Sequence, residues 1–381
     1  MVLVATVAIV KKRTRKAIFL NLSNLFIMSV MFYAVVVSCI YANVEGILYS
    51  LIFLVALVTM FYGKTIMTYR IFDNMMDLAC FTSVICMPIA MIQVFYFPWL
   101  TIDGRPPSTF INANYYGMII EFVIIIAMYR IFTNKNGKMK KWYLGTILIN
   151  LIGLYMSASM SSCMTLFLVM LIYLIVKGKK KSAMTVLFVL IAIISIVLLS
   201  DQILPRMDTV SDILSVRVDV WSTTLKGISD HALFGMGPGA YRMIWPLYGG
   251  FETFHAHNLY LDALLNFGVI GCCSIFFYLL TQLKILMKRL QIKVCKNRNI
   301  LVLVAFAAVL IHGATDVTIF WIQTGMLFFL IYTATGIHTV KNHVISIHKT
   351  KTSSIESASA PWHTDISSYG VKHYNENTDE F

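Results

Sequence analysis

Apolar residues along this chain come in long blocks rather than in alternation. Runs of about 20 residues, the length needed to cross a bilayer as a helix, fall at 17–41, 46–63, 77–98, 117–133, 143–158, 162–177, 182–200, 264–283, 300–316 and 318–340. The pair spanning 143–177 is the least separated, because its turn is nearly apolar. Two polar intervals interrupt the blocks: 99–116, and the much longer 201–263. The pattern predicts an all-α polytopic membrane protein of about ten transmembrane helices with one large extracytoplasmic loop. The expected organisation is a basic N-terminus (1–16), seven spans (17–200) enclosing an outer loop at 99–116, the large loop (201–263), three further spans (264–340) and a tail (341–381). Residues 345–381 are rich in Ser, Thr and Asn and poor in aliphatics, so they are expected to be disordered. Residues 1–10 are apolar but too short to span, and Lys11-Lys12-Arg13 follows with no small-residue cleavage site. They read as the remnant of a further helix rather than a signal peptide.

Charge fixes the expected orientation. Of 381 residues, 58% are apolar and 13% charged, and the net charge is +13. With the N-terminus placed inside, 26 of the 31 Lys and Arg fall in inside segments, leaving Arg105, Arg206, Arg217, Lys226 and Arg242 outside. That asymmetry is the positive-inside signature. It explains the positive charge as topogenic, argues against nucleic acid as a partner, and places both termini in the cytoplasm. The seven cysteines lie mostly within apolar runs and show no metal-ligand or disulfide spacing.

The chemistry concentrates in the large loop. Ser215-Val-Arg-Val-Asp-Val-Trp221 is followed by Gly235-Met-Gly-Pro-Gly-Ala-Tyr-Arg242 and then His255-Ala-His-Asn258. A helix is expected over 211–226, with Arg217 near the middle of its apolar arc. A charge there serves either a structural salt bridge or anion capture, for which a planar guanidinium is suited. Residues 201–256 hold four basic and six acidic groups, so any anion site must be local. The glycine-rich turn permits close backbone approach, lacks the Lys-Ser/Thr of a phosphate loop, and delivers Arg242 beside it. His255 and His257 admit three readings. Zinc would need further ligands that the neighbouring sequence does not supply; structural hydrogen bonding is the second; a general base, which accepts a hydroxyl proton near neutral pH, is the leading one. Asn258 can orient the ring or cap the next helix. In the other outer loop, Arg105 and the amides of Asn112 and Asn114 can read sugar hydroxyls. Glu121, within a span, is a functional or ion-pair candidate, and His312 and Asp316 flank the last outer turn.

These segments together resemble a known family. R-x3-W, G-x-G-P-G-x-Y, H-x-H-N with a downstream L-x3-G-x2-G, the upstream R-P-x-S-T-F-x-N-x-N, and His312-Gly-Ala-Thr-Asp316 resemble the shared domain of O-antigen ligases and Wzy-type O-antigen, capsule or exopolysaccharide polymerases, over roughly 100–335. The resemblance implies a GT-C-like membrane glycosyltransferase of the bacterial plasma membrane that works without a metal or other cofactor. Its donor would be a glycan on undecaprenyl diphosphate. Arg217 would hold the diphosphate and His257 would activate the acceptor hydroxyl. Trp221, Arg242, Arg105, His255, Asn258, Asn112 and Asn114 form the expected substrate-binding set. A flippase and a chain-length regulator are the partner types the resemblance brings with it. Polymerase is the first reading; a ligase acting on another acceptor, or a non-catalytic lipid-linked glycan transporter, are alternatives. One departure is evident: the family's S-R motif is replaced by Ser157-Ala-Ser-Met160, and Arg242, Arg105 or Arg206 are the available substitutes.

Overall fold

The computed structural model describes residues 1–199 and 210–337. The expectations for Arg206, for the start of the large loop and for the tail after 337 lie outside the described residues. Each of the ten apolar runs falls on a helix: α3 (Leu22–Ile40), α4 (Val44–Ile66), α5 (Tyr69–Tyr96), α6 (Ala113–Thr133), α7 (Gly137–Ser157), α8 (Met160–Val176), α9 (Lys180–Leu199), α12 (Leu259–Gln291), α13 (Lys296–Gly313) and α14 (Ile322–Tyr332). Among the described residues, α3, α4, α5, α6, α12 and α13 are long and apolar enough to cross a membrane. The chain is thus an all-helical, polytopic membrane protein. Two short helices precede the first span: α1 (Val2–Val10), against α4, and α2 (Lys12–Phe19).

The central helix is α6. Its sequence is apolar on every side, which suits a helix enclosed by others rather than one with a solvent face. Every residue from Tyr115 to Arg130 is buried, against α5, α7, α8, α13 and α14. At its far end α6 meets an ion cluster. Arg130 donates Nε to Asp77 Oδ1 at 2.6 Å and Nη2 to Asp77 Oδ2 at 2.8 Å, and its Nη1 lies 3.0 Å from Asp73 Oδ2. Arg298, from α13, reaches the same Asp73. Asp73 and Asp77 sit four residues apart on α5, so one helix face presents both carboxylates to two neighbouring helices. This satisfies charges that would otherwise be costly to bury.

The polar interval 201–263 is not a plain loop. It holds α10 (Val210–Asp230), longer than the expected 211–226, then α11 (Tyr241–Tyr248), and α12 begins as early as Leu259. The apolar arc of α10 packs on one side only: Val220 is buried with Val216 and Trp221 packed beside it, whereas Leu214, Val218 and Leu225 are exposed. The packed stripe runs through Val220, Thr223, Thr224 and Gly227. Val220 joins Met236, Ala240, Tyr241, Ile244 and Leu265 in a second small core.

The anchor of this outer layer is a break in α12. Gly268 has φ 61° and ψ −175°, a conformation essentially restricted to glycine. The glycine-rich turn docks into the break. Met236 N donates to Leu265 O at 3.0 Å and Gly237 N to Asn266 O at 2.8 Å; in return Val269 N donates to Ala232 O at 2.8 Å and Ile270 N to Leu233 O at 3.2 Å. Tyr33 of α3 donates its hydroxyl to the remaining carbonyls, Phe234 O and Phe267 O. Asn43, between α3 and α4, donates to Met236 O and Pro238 O. The glycines serve this close backbone approach. A Cβ on Gly235 would stand 2.6 Å from the Asn266 carbonyl. Gly268→Ala is therefore expected to lower stability by about 1–3 kcal/mol from backbone strain alone, with further loss from the clash with Leu233. Thermal unfolding of the purified protein in detergent measures it, and an unchanged midpoint would contradict the role given to the break.

Candidate active site

The loop between α11 and α12 is tied down before it reaches the histidines. Phe251 N donates to Asp219 of α10 at 2.8 Å, and Tyr241 donates to Phe251 O at 2.9 Å. At the other end Asn258 caps α12, accepting from Tyr260 N and Leu261 N, and its amide donates to Ala314 O at 3.0 Å. Of its two expected roles, capping is the one realised, and it also ties the start of α12 to the segment after α13. Ala256 N donates to Asp262 Oδ1 at 3.0 Å. Between these anchors His257 has φ 47°, in the left-handed region, an uncommon conformation for a side chain other than glycine.

Asp316 brings the separate segments together. Its Oδ1 lies 3.3 Å from His257 Nδ1 and accepts from Val317 N at 2.8 Å. Its Oδ2 accepts from Asn114 Nδ2 at 2.6 Å, while Asn114 Oδ1 accepts from Arg105 Nη2 at 2.5 Å. Arg105 Nε donates to Ser157 O at 2.8 Å, at the turn between α7 and α8. A continuous chain thus runs from Arg105 through Asn114 and Asp316 to His257, whose Nε2 lies 3.2 Å from Thr253 Oγ1. Asn112 is engaged as the N-cap of α6, accepting from Asn114 N and Tyr115 N. It therefore sets the helix that carries Asn114.

His255 packs edge-on against His257, ring centroids 4.4 Å apart, and its Nδ1 accepts from His257 N. Its Nε2 is 3.9 Å from Asp316 Oδ1. Burial, then the neighbouring His257, push the His255 pKa down to about 4, against the pull of Asp316; Arg217 adds to the downward push. For Asp316, burial alone would raise the pKa, but the hydrogen bond and charge of His257, with His255 and His312, hold it far below the usual carboxylate range. One turn before Asp316 on the chain, His312 Nδ1 meets Glu121 Oε1 at 2.7 Å, both side chains fully buried. Glu121 is thus engaged in a buried pairing with His312.

Arg217 lies on α10 three residues before buried Val220 and seven before buried Thr224, so it shares the packed stripe. It is half-buried and makes no hydrogen bond or ion pair among the described residues. Its charge acts on His255 and His312. Of the two readings open for it, the structural salt bridge finds no partner here. Trp221, one turn further, has its indole N–H buried and unbonded. Arg242 is exposed and paired with Glu45 at 2.7 Å, its guanidinium over the Phe254 ring. Beside His255 a pocket of about 70 Å³ is lined by Tyr49, Phe53, Phe254, Phe320 and Trp321.

Among the described residues, one group has the arrangement to hold a metal ion: His255, His257 and Asp316 each offer a donor atom, all within 4.8 Å of one another. The third ligand missing from the local sequence is thus supplied by a segment 59 residues further on. No spacing signal marks Asp316 as a partner of the histidine pair; only its position at an outer turn hinted at it.

Because the His255 pKa is lowered from 6.5 to about 4, the unfolded chain binds a proton more readily than the folded one between those values. Stability from this group is full above about pH 6.5 and declines as pH falls toward 4. The expected loss is on the order of 2–3 kcal/mol. Unfolding midpoints at pH 7 and pH 5 should differ for the wild type and converge for His255→Asn.

Residues 145–278 match the family model described as O-Antigen ligase. The match runs from α7 into α12 and contains Arg217, the glycine turn and both histidines. Arg105, Asn114 and Asp316 lie outside it. No curated protein matches the chain. Helical architecture and apolar spans make the chain a multi-pass membrane protein, and its segment 145–278 is similar to the O-antigen ligase family.

Proposed function

We propose that the protein is a membrane glycosyltransferase that polymerises oligosaccharide repeats carried on undecaprenyl diphosphate, at the outer face of the bacterial plasma membrane. The observation that carries this reading is an imidazole held by a buried carboxylate, His257 on Asp316 at 3.3 Å, with the guanidinium of Arg217, unpaired among the described residues, close enough for its charge to act on His255. Asp316 fixes the neutral ring with its proton on Nδ1, leaving Nε2 as the base. The acceptor hydroxyl oxygen attacks the anomeric carbon, its proton passes to Nε2, and the bond to the diphosphate breaks with its electron pair leaving on phosphate. Arg217 stabilises the charge growing on that leaving group, most strongly in the transition state. Arg105, held at the Ser157 carbonyl, takes the place of the arginine that relatives resembling this chain carry in the same turn. Arg242 is the weaker substitute, since Glu45 already neutralises it.

His257→Ala is expected to reduce glycan extension by about 100-fold to 10,000-fold. Arg217→Lys, which keeps charge but loses the bidentate fork, and Asp316→Asn, which loses the orienting carboxylate, are each expected to cost about 100-fold or more. The assay is extension of lipid-diphosphate oligosaccharide by purified protein, with membrane levels unchanged. Normal product length in these variants would reject the mechanism. Finished polymer left on its lipid carrier in cells lacking the protein would indicate ligase instead of polymerase.

Extension is also expected to persist in excess chelator. Abolition by EDTA with recovery on zinc addition would make His255, His257 and Asp316 metal ligands rather than a base and its support.

A further inference from the structure

The pocket beside His255 is not used by the chemistry above, and its construction is specific. One wall is α4, which contributes Tyr49 and Phe53; these lie about 8 and 14 Å along the helix from Val44. The opposite wall is the segment after α13, with Phe320 and Trp321, and Phe254 and His255 close the side toward the catalytic loop. The aromatic faces are held by their neighbours. Phe53 meets Phe320 edge-on at 5.5 Å, and Trp321 lies against Tyr115 at 5.0 Å.

The polar groups here are few, and two of them lack partners. The Tyr49 hydroxyl makes no hydrogen bond among the described residues. His255 Nδ1 accepts from the backbone, so its neutral ring carries the proton on Nε2. The nearest carboxylate oxygen, on Asp316, is 3.9 Å from that Nε2, beyond hydrogen-bond reach. Beside the pocket, the exposed Glu45–Arg242 pair rests on Phe254.

We infer that this pocket is the acceptor-sugar subsite: a pyranose ring packs its C–H face on Phe320 and Trp321, and its hydroxyls meet Tyr49 and His255. The inference rests on the transferase reading and adds where the attacking sugar sits. The chemistry favours a sugar over a prenyl chain. A prenyl chain would strand the phenol and the imidazole N–H without partners in an apolar surrounding. A pyranose brings both donors and acceptors to them, and an apolar cavity with a few placed polar groups is the usual form of such a site. The edge contact between His255 and His257 puts a ring bound here next to the proposed base.

The test is equilibrium binding of the lipid-free repeat oligosaccharide to the purified full-length protein, alongside inhibition of extension by sugar-free polyprenyl diphosphate. Trp321→Ala and Phe320→Ala are expected to weaken oligosaccharide binding at least 10-fold. Tyr49→Phe should weaken it about 3- to 10-fold, and Trp321→Phe, which keeps an aromatic face, should hold it within about threefold. Inhibition by the polyprenyl diphosphate should stay within twofold of wild type throughout. Monodisperse elution in detergent and the Trp321→Phe result guard against misfolding. Weakened inhibition with unchanged oligosaccharide binding would assign the pocket to the lipid and overturn the inference. So would unchanged binding in all variants, or no oligosaccharide binding by wild type. If binding falls as expected while wild type transfers no sugar, the pocket stands and the transferase reading fails. If transfer depends on His257 and Arg217 but binding ignores the pocket variants, the reverse holds.

Discussion

A backbone broken inside an apolar bundle must have its freed amides and carbonyls satisfied, or the break is not tolerated. In this protein that constraint organises the whole outer layer. The carbonyls released at Gly268 are met by the amides of Met236 and Gly237 and by the Tyr33 hydroxyl, and the amides of Val269 and Ile270 return to Ala232 and Leu233. Because these contacts are backbone to backbone, they demand the close approach that Gly235 and Gly268 provide. Once they form, α10, the glycine turn and the first turns of α12 are one rigid unit. The histidine loop is then strung between two points of it, Asp219 and Asn258.

On this platform the electrostatics of the site centre on one carboxylate. Asp316 accepts from Asn114 and Val317 and faces His257. It thereby joins three segments that are remote in sequence. Close by in sequence, His312 forms a fully buried hydrogen-bonded pair with Glu121. Two cations are placed differently. Arg105 is bound into the chain of hydrogen bonds that ends at His257, whereas Arg217, whose charge acts on His255 and His312, has no partner among the described residues. An unneutralised guanidinium in a half-buried position is expensive to keep, and an incoming diphosphate is the kind of group that would compensate it.

The sequence made the architecture legible because its signals are local. Apolar run length predicts a spanning helix without knowledge of any neighbour; among the described residues each of the ten runs overlaps a helix, and six of those helices are long and apolar enough to cross a membrane. Local motifs also located Arg217, the glycine turn and the histidine pair. Local reasoning failed where partners decide the role. The apolar arc of α10 packs only on the side of Val220, leaving Leu214, Val218 and Leu225 exposed. Asn112 reads as a sugar-binding amide but serves as a helix cap.

What the sequence determined by itself was therefore the set of elements, their apolar character and the short list of residues able to do chemistry. Tertiary structure decided which of those residues meet. The pairing of Asp316 with His257 spans 59 residues and that of Asn114 with Asp316 spans 202, distances over which no spacing rule operates. Whether a cation is free or engaged was likewise settled by packing: Glu45 claims Arg242 and the Ser157 carbonyl claims Arg105, because a charge takes its role from the groups that folding brings within a few ångströms.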